Sequence, residues 1–424
     1  MINRILVLSI VLFNSLYAID ATMEIIKKKS NLPFITVKTT ADSYRLNGID
    51  TKISSLVKKD LLVSGHFNNK EVVSNKSFDQ LPDFTMMSQY GIDLKLVLQV
   101  KLNQINGIEV NTKLYDINTQ QMILSKSYST SSKSRYPFLS HKIAIDVNKA
   151  LNAPSIDWMD KFIIFARYLS SRKSEIVISD YTLTYQKVVV KGGLNIFPKW
   201  ADQKQESFYY TSYNYTKPTL IKKNLYTGER QKILSSDGMM VCSDVNSDGT
   251  KLVLTMAPNS QPDIYVYDVK TQVKTRITKY SGIDVGGSFV ENDTKVVFIS
   301  DRLKYPNIFA KGIGKKGIER LVYHGKNNSQ CTTYGDYIVY SSRETDNEFS
   351  NNSFNLYLIS TQSDFVRRLT TYGRNQFPKF SNDGESVLFI KNADGQSSLG
   401  IIRLNYNKSF IFPLKSGRLQ SIDW

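Results

Sequence analysis

A unit of four short strands recurs along the chain from residue 154 onward, and this repeat constrains the fold more than any other feature. Each unit has an opening strand, a turn rich in Asn, Ser, Asp and Gly, a strand of Val, Leu, Ile and Phe, and two further strands. Equivalent positions lie about 43 to 47 residues apart, which is the size of one blade of a β-propeller. These positions are Trp200, Val245, Val290, Thr333, Phe380 and Trp424.

The first unit has no opening strand of its own, since residues 162–166, 175–179 and 187–190 supply only three strands. The last segment, residues 418–424, has the pattern of an opening strand with no unit after it. We therefore predict a six-bladed β-propeller that the C-terminal strand closes, which removes an open sheet edge. An open β-sandwich is the alternative, but six units at one period are hard to fit into a sandwich.

The preceding region has a different pattern, in which strands and helices alternate. Apolar residues at helical spacing in residues 49–62, followed by Gly65, predict a helix, and residues 138–151 predict another. Residues 32–37, 94–100, 108–116 and 123–128 read as strands. We predict a small mixed α/β domain at residues 19–153, followed by the propeller at residues 154–424.

The N-terminus has the pattern of a secretory signal peptide. Arg4 precedes an apolar run at residues 5–13, and Ala18 is a small residue at a plausible cleavage point. The run is too short to span a bilayer comfortably. We predict a cleaved signal peptide at residues 1–18, an exported protein and no direct membrane span.

The formal net charge is +17, with basic residues spread over the whole chain. A solvated basic surface explains this pattern, and attraction to an acidic protein or an anionic lipid surface is the alternative. No RNA-binding motif, zinc finger or basic helix is present, so nucleic acid is not an expected partner.

Residues for catalysis or metal binding are scarce. The three histidines, His66, His141 and His324, are scattered, with no zinc-binding HExxH motif and no G-x-S-x-G nucleophile motif. For His141 a structural role in an amphipathic helix is weighed against a catalytic one. Cys242 and Cys331 are read as two buried free thiols, although an oxidising compartment would permit a disulfide. We predict no enzyme activity, no cofactor and no metal site.

Several segments of the chain carry motifs that occur in a fixed order. Residues 195–200 (Asn-Ile-Phe-Pro-Lys-Trp) and 376–384 resemble the opening of the propeller repeat of the TolB family. Segments of the first domain and of the first blade are similar too, so the resemblance covers nearly the whole mature chain. They are residues 60–67, 90–93, 114–116 and 141–146, with Asp180 and Tyr181.

This resemblance implies a periplasmic binding scaffold of the Tol-Pal cell-envelope system. It implies binding of the lipoprotein Pal at the propeller mouth and of TolA through the mature N-terminus, and a role in outer-membrane integrity and cell division. Other outer-membrane proteins are a further class of partner. The alternatives are a periplasmic propeller hydrolase or lyase, which needs a catalytic cluster in the channel, and a glycan-binding lectin, which needs aromatic residues along the mouth.

In a propeller, the loops that enter the innermost strands converge around the central channel. Methionine adapts to irregular surfaces and asparagine both donates and accepts hydrogen bonds, so such residues suit a binding rim, although ordinary loop roles are the alternative. The candidates at the mouth are Asn195, Met239, Met240, Asp284, Ser329 and Asn375.

A second candidate binding segment lies near the mature N-terminus. It is short and apolar, and three lysines follow it. It is either an exchangeable strand that adds to the sheet edge of a partner or a fixed edge strand of its own domain. Its residues are Met23, Glu24, Ile25 and Ile26.

Overall fold

The computed structural model describes residues 32–41, 48–73, 77–103, 107–344 and 353–424, which belong to one compact unit. The predicted signal peptide, residues 1–18, and the candidate segment Met23, Glu24, Ile25 and Ile26 lie outside the described residues. No helix among the described residues is long and apolar enough to cross a membrane.

The first part of the chain forms one five-stranded sheet with helices. Its elements are β1 (Phe34–Ala41), α1 (Ile49–Ser64), β2 (Asn68–Asn69), α2 (Phe84–Gln89), β3 (Leu94–Leu102), β4 (Ile108–Asp116), β5 (Gln121–Thr130) and α3 (Tyr136–Ala150). The strand order is β2-β1-β3-β4-β5, with β1 parallel to both neighbours and the other pairs antiparallel.

Helices α1 and α3 pack on one face of this sheet. Alternate residues of β3, such as Leu96 and Leu98, belong to the same apolar cluster as Val57 on α1 and Val147 on α3, and all four are fully buried. The helical spacing read from the sequence therefore identifies the buried side of both helices correctly. The sequence analysis missed β2 and α2, because two and six residues are too few for a period to emerge.

The rest of the described chain is almost entirely β-strand. The strands are β6 (Ile163–Ser170), β7 (Lys173–Ser179), β8 (Gln186–Val190), β9 (Asn195–Trp200), β10 (Ser207–Ser212), β11 (Thr219–Asn224), β12 (Arg230–Ser235), β13 (Met240–Val245), β14 (Lys251–Met256), β15 (Asp263–Asp268), β16 (Lys274–Arg276), β17 (Asp284–Val290), β18 (Lys295–Ser300), β19 (Asn307–Gly312), β20 (Glu319–Arg320), β21 (Lys326–Tyr334), β22 (Tyr337–Arg343), β23 (Phe354–Ser360), β24 (Val366–Arg368), β25 (Arg374–Phe380), β26 (Ser386–Ala393), β27 (Gln396–Arg403), β28 (Lys408–Pro413) and β29 (Arg418–Asp423).

These strands pair as a series of antiparallel meanders. Strands β9–β12, β13–β16 and β17–β20 form four-stranded sheets, and β21–β28 form an eight-stranded sheet whose halves are joined by one parallel pair, Phe354 with Arg374. The C-terminal strand β29 pairs with β6, and its Ile422 lies opposite Phe165. With the eight-stranded sheet counted as two blades, the strand order of the described residues corresponds to six blades, and this count stays our interpretation.

The strand directions define two ends of the propeller. The innermost strands, β9, β13, β17, β21, β25 and β29, all begin at one end, which we call the mouth, and finish at the other, which we call the domain face. The α/β domain packs on the domain face, where the Arg403 guanidinium donates to the backbone oxygens of Ser64 (3.1 Å) and Ser155 (3.0 Å). The predicted domain boundary at residues 153/154 falls between α3 and β6 and stays a prediction.

Gly65 lies where helix α1 ends against the propeller. Its φ is +83°, a left-handed conformation that favours glycine, and a Cβ there would lie 2.7 Å from the Tyr406 ring.

We expect Gly65→Ala to lower the free energy of unfolding by about 2–4 kcal/mol, because backbone strain and the clash with Tyr406 add. The matched control is Gly228→Ala, which has a φ of +77° and no atom within 4 Å of its Cβ position. This control is expected to cost about 1–2 kcal/mol, as backbone strain alone does. Urea unfolding measures both, and equal losses would show that the contact with Tyr406 contributes nothing.

Candidate functional site

A well opens at the mouth of the propeller. It is a cavity of about 320 Å³, and all six innermost strands contribute to its wall. Most of the lining is apolar, with Phe197, Val241, Val285, Phe377 and Ile422 among the wall residues. A concave, largely apolar cavity with a few polar groups is the usual form of a binding site in a folded protein.

The floor of the well is an ionic cluster near the far ends of the innermost strands. The Lys199 ammonium lies 3.2 Å from an Asp244 oxygen and 3.0 Å from an Asp423 oxygen. Burial alone lowers the pKa of Lys199, but the two carboxylates outweigh it and raise the pKa above its usual value. Lys199 also lines a second cavity on the domain face, so this side chain lies between the two.

A second lysine, Lys379, lines the well at the position of β25 that corresponds to Lys199 of β9. Among the described residues, its ammonium makes no hydrogen bond and no ion pair. Burial and then the nearby charge of Lys199 hold the pKa of Lys379 below its usual value, although Asp423 and Asp244 act in the opposite direction.

Two Phe-Pro-Lys segments, on strands β9 and β25, build the parts of this wall on either side of the C-terminal strand β29. Phe197 and Phe377 both have left-handed backbones, with φ of +54° and +53°. Their N–H groups donate to glutamines of neighbouring strands, Phe197 to Gln420 Oε1 (3.4 Å) and Phe377 to Gln330 Oε1 (3.0 Å). Bulky residues adopt this conformation rarely, and it persists where surrounding contacts hold it.

The rim of the mouth carries large exposed side chains. We use the term rim for the exposed residues of the loops at that end, among which Tyr323 is 75% exposed and Met239 is 41% exposed. Cations cover several of the rings, with Lys232 Nζ 4.2 Å from the centre of Tyr215. The rim residues are Tyr213, Tyr215, Met239, Ile283, Leu303, Tyr323 and Tyr372.

Of the six residues predicted to bind partners at the mouth, Asn195, Met240, Asp284 and Asn375 are buried. The side-chain amide of Asn195 donates to the backbone oxygen of Gly192 (2.7 Å), and the Asp284 carboxylate lies 3.1 Å from the Arg302 guanidinium.

Asn375 is the third buried residue with a clear structural contact, since its side-chain amide donates to the backbone oxygen of Phe354 (2.9 Å). Met239 and Ser329 are more accessible, and Met239 also lines the well. Partner binding by these six residues stays a prediction, and only Met239 among them belongs to the exposed rim.

His141 lies in a buried cluster between the α/β domain and the propeller, away from the well. Its Nδ1 is 2.8 Å from Asp60 and its Nε2 is 3.3 Å from Asp180, while the Tyr181 hydroxyl donates to Asp60. Burial alone lowers the pKa of His141, but Asp60 and Asp180 outweigh it and raise the pKa to about 10. The imidazolium therefore bridges two carboxylates of different domains, which is the structural role weighed in the sequence analysis.

The pKa values of the two carboxylates in this cluster are shifted in opposite directions. Burial raises the pKa of Asp60 despite His141, whereas hydrogen bonds from His141 and Thr182 outweigh burial and lower the pKa of Asp180. Both side chains are fully buried, so the charge of His141 has no competing water nearby. We place the proton on His141, because an imidazolium satisfies both carboxylates at once.

No group of three or more His, Cys, Asp or Glu side chains within the described ranges could hold a metal ion. Cys242 and Cys331 are free and buried, and both line the well. Burial raises the pKa of both thiols, so they are poor nucleophiles there.

The sequence analysis missed the most exposed rim residues and the two lysines of the floor. The repeated Phe-Pro-Lys in residues 195–200 and 376–384 was the available signal, since equivalent positions of a propeller repeat face the same channel. Of the rim residues only Met239 was predicted from the sequence, because exposure of a loop side chain depends on its neighbours in space.

Comparisons with known proteins agree across the chain. The TolB amino-terminal domain family matches residues 21–123, and the TolB beta propeller domain family matches residues 161–424. The "Tol-Pal system protein TolB" of Wolinella succinogenes is 49% identical over 424 residues, covering 99% of this chain and 100% of the relative. The protein of the same name from Campylobacter jejuni is 45% identical over 426 residues, covering 100% of both chains.

A solved structure supports the fold. The crystal structure of TolB from Acinetobacter baumannii superimposes with a TM-score of 0.78 at 22% identity, covering 92% of this chain and 96% of that one. The small α/β domain followed by a β-propeller is therefore an arrangement that an experimental structure shares.

Proposed function

Because the chain belongs to the TolB family of Tol-Pal system proteins, we propose that it is a periplasmic scaffold that binds the lipoprotein Pal at the mouth of its propeller. As a member of this family the chain is a component of the Tol-Pal system of the cell envelope and not an enzyme. The scaffold supports outer-membrane integrity and cell division. The export that this location needs is provided by the predicted signal peptide.

The single observation that carries the proposal is the exposed rim around the well. Exposed aromatic and apolar side chains that surround a concave site are typical of protein-binding surfaces. Cations lie over the rings of Tyr215, Tyr323 and Tyr372, which gives the rim a positive as well as an aromatic character. With a net charge of +17, this surface favours a partner with acidic residues.

Binding of TolA through the mature N-terminus is the second part of the proposal. It rests on the family membership and on the apolar character of Met23, Ile25 and Ile26 in the sequence. A pull-down with the periplasmic domain of TolA, repeated after deletion of residues 19–30, tests it. Equal capture by both forms would remove this segment from the proposal.

The exposed tyrosines of the rim also suit the alternative of a glycan-binding lectin, since aromatic rings stack on sugars. Direct binding to the mature chain alone separates the two functions. Calorimetric titration of soluble peptidoglycan fragments into this chain, without the lipoprotein, shows heat of binding only if the chain itself binds sugars. Absence of capture of the lipoprotein by the full mature chain would end the proposal of a Pal-binding scaffold.

We expect Met239→Asp to weaken lipoprotein binding at least tenfold, because it places an unpaired negative charge at the centre of an apolar contact on a basic rim. The matched control is Met122→Asp on β5 of the α/β domain, where Met122 is 52% exposed. Isothermal titration calorimetry with the soluble domain of the lipoprotein measures both. Equal affinities of the two variants would place the binding surface elsewhere.

A further inference from the structure

We propose that the well receives one carboxylate side chain of the protein that docks at the mouth, and that Lys379, Gln330 and Gln420 bind it. This inference rests on the proposed function, since the carboxylate belongs to the docked partner. It goes further by naming the chemical group that enters the well and the three residues that hold it.

Both aspartates of the floor already have an ion-pair partner and a hydrogen-bond donor. Asp244 and Asp423 both form an ion pair with Lys199. Each also accepts a backbone hydrogen bond of 2.9 Å. The donor to Asp423 is the N–H of Trp200, and the donor to Asp244 is the N–H of Phe289. Lys199 is thus neutralised by two carboxylates that the backbone holds in place. Neither aspartate has to turn toward Lys379 to satisfy its own hydrogen bonds.

Lys379 is the charged group of the floor that is left without a close counter-charge among the described residues. Its side chain is largely withdrawn from bulk water in the wall of the well, and it lies near a second ammonium, Lys199. An ammonium in such a place gains more from an arriving anion than one on an open surface, because water screens the pair less.

Two neutral groups add hydrogen-bond donors to the same cavity. The side-chain oxygens of Gln330 and Gln420 accept from the backbone of Phe377 and Phe197, and this network assigns the oxygen and nitrogen of each amide. The Nε2 groups then remain as donors, and both glutamines line the well. With Lys379, the well presents three donor groups, an arrangement that suits an acceptor such as a carboxylate.

The apolar wall of the well favours a carboxylate that belongs to an apolar segment over a free anion. The cavity of about 320 Å³ has room for about ten waters, which is enough for side chains but not for a folded domain. Phe197, Val241, Val285 and Phe377 surround the path from the rim to the floor. An acidic side chain carried on an apolar segment can bury both parts, whereas a free hydrated anion would lose its water without apolar contacts in return.

The test replaces Lys379 by Met, which keeps the length of the side chain and removes its charge. We expect Lys379→Met to weaken binding of the soluble lipoprotein domain at least tenfold in calorimetric titration, since a charge-assisted contact shielded from water is lost. The matched control is Lys279→Met, an exposed lysine of a mouth loop that changes the net charge equally. It is expected to change the affinity less than threefold.

The binding results distinguish an error in the carboxylate site from an error in the proposed scaffold function. If the wild type binds the lipoprotein and Lys379→Met binds equally well, the carboxylate site is wrong while the scaffold stands. If the wild type does not bind, both are wrong. Thermal unfolding checks that the variant is folded, and removal of an uncompensated ammonium is expected to leave the melting temperature unchanged or raise it.

A titration with free glutarate distinguishes the source of the carboxylate. We expect no binding in the micromolar range, because glutarate lacks the apolar contacts of a docked segment. Micromolar binding that Lys379→Met abolishes would show that the well serves a small dicarboxylate, which overturns the partner side chain named here.

Discussion

Replacing His141 by Gln is expected to lower the free energy of unfolding by about 3–5 kcal/mol, the range seen when one member of a buried ion cluster is removed. Gln keeps a hydrogen-bonding side chain but has no charge, so Asp60 and Asp180 would face each other in a fully buried space. The loss also loosens the attachment of α3 to the propeller, because Asp180 lies in the loop after β7. Urea unfolding of the mature chain measures the change.

The stability that is lost in His141→Gln depends on pH in a direction set by the pKa of His141. The pKa of His141 is raised to about 10 in the folded protein, above its ordinary value of 6.5. A group with a raised pKa contributes stability that is fully present below the unfolded pKa and is lost as pH rises through the folded pKa. The stability difference between wild type and His141→Gln should therefore be largest near pH 6 and shrink toward pH 10.

The control is the same substitution at an exposed histidine, His324→Gln, which is expected to cost less than about 1 kcal/mol. A loss at His141 no larger than at His324 would show that the buried cluster does not hold the two domains together. A difference between wild type and His141→Gln that grows with pH would show that His141 is not the charged member.

Deleting residues 418–424 is expected to prevent the propeller from folding, an effect on the order of the whole stability of a domain. The deletion exposes the edge of β6 and removes the buried side chains of Leu419 and Ile422. It also removes Asp423, which leaves Lys199 with one carboxylate instead of two. We expect loss of the near-ultraviolet circular dichroism signal and aggregation through the open edge.

Adding the missing strand back as a peptide tests whether its absence alone prevents folding. A synthetic peptide of residues 415–424, added during refolding, should restore the signal if the last strand acts as a separate innermost strand of the first blade. Arg418→Ala, at an exposed strand end, serves as the control and should change stability by less than about 0.5 kcal/mol. A truncated chain with an unchanged unfolding midpoint would contradict closure of the ring by its C-terminus.

The sequence predicted the order of domains and most strands, because these follow from periodic patterns. Val57 and Leu61 lie on the buried side of α1 as their spacing indicates, and the pattern of residues 418–424 identified them as a strand without a unit of its own. Strand ends were less accurate, as β1 runs to Ala41 rather than to residue 37. Local propensity does not fix an end that the neighbouring strand decides.

The candidate site was predicted less well, because its features depend on residues far apart in sequence. Asn195 and Asn375 are residues of a type that suits a binding rim, yet both are buried. Their side-chain amides donate to backbone oxygens within the protein, that of Asn195 to Gly192 and that of Asn375 to Phe354. A structural role was weighed for His141 from the sequence, but its partners Asp60 and Asp180 were not identified. Their contacts with His141, across 81 and 39 residues, have no local signature. Burial and ion pairing of this kind are seen only in the folded structure, where distant segments of the chain meet.

The placement of the α/β domain has a consequence for how many proteins this molecule can hold at once. Each innermost strand separates the mouth from the domain face by the length of about six residues, roughly 20 Å. A ligand at one end therefore takes no space from a ligand at the other, and a ternary complex is sterically allowed. Since Lys199 lines a cavity at each end, coupling between the two affinities can arise from its charge or from movement of the blades, and replacing Lys199 would show how much of any measured cooperativity passes through this side chain.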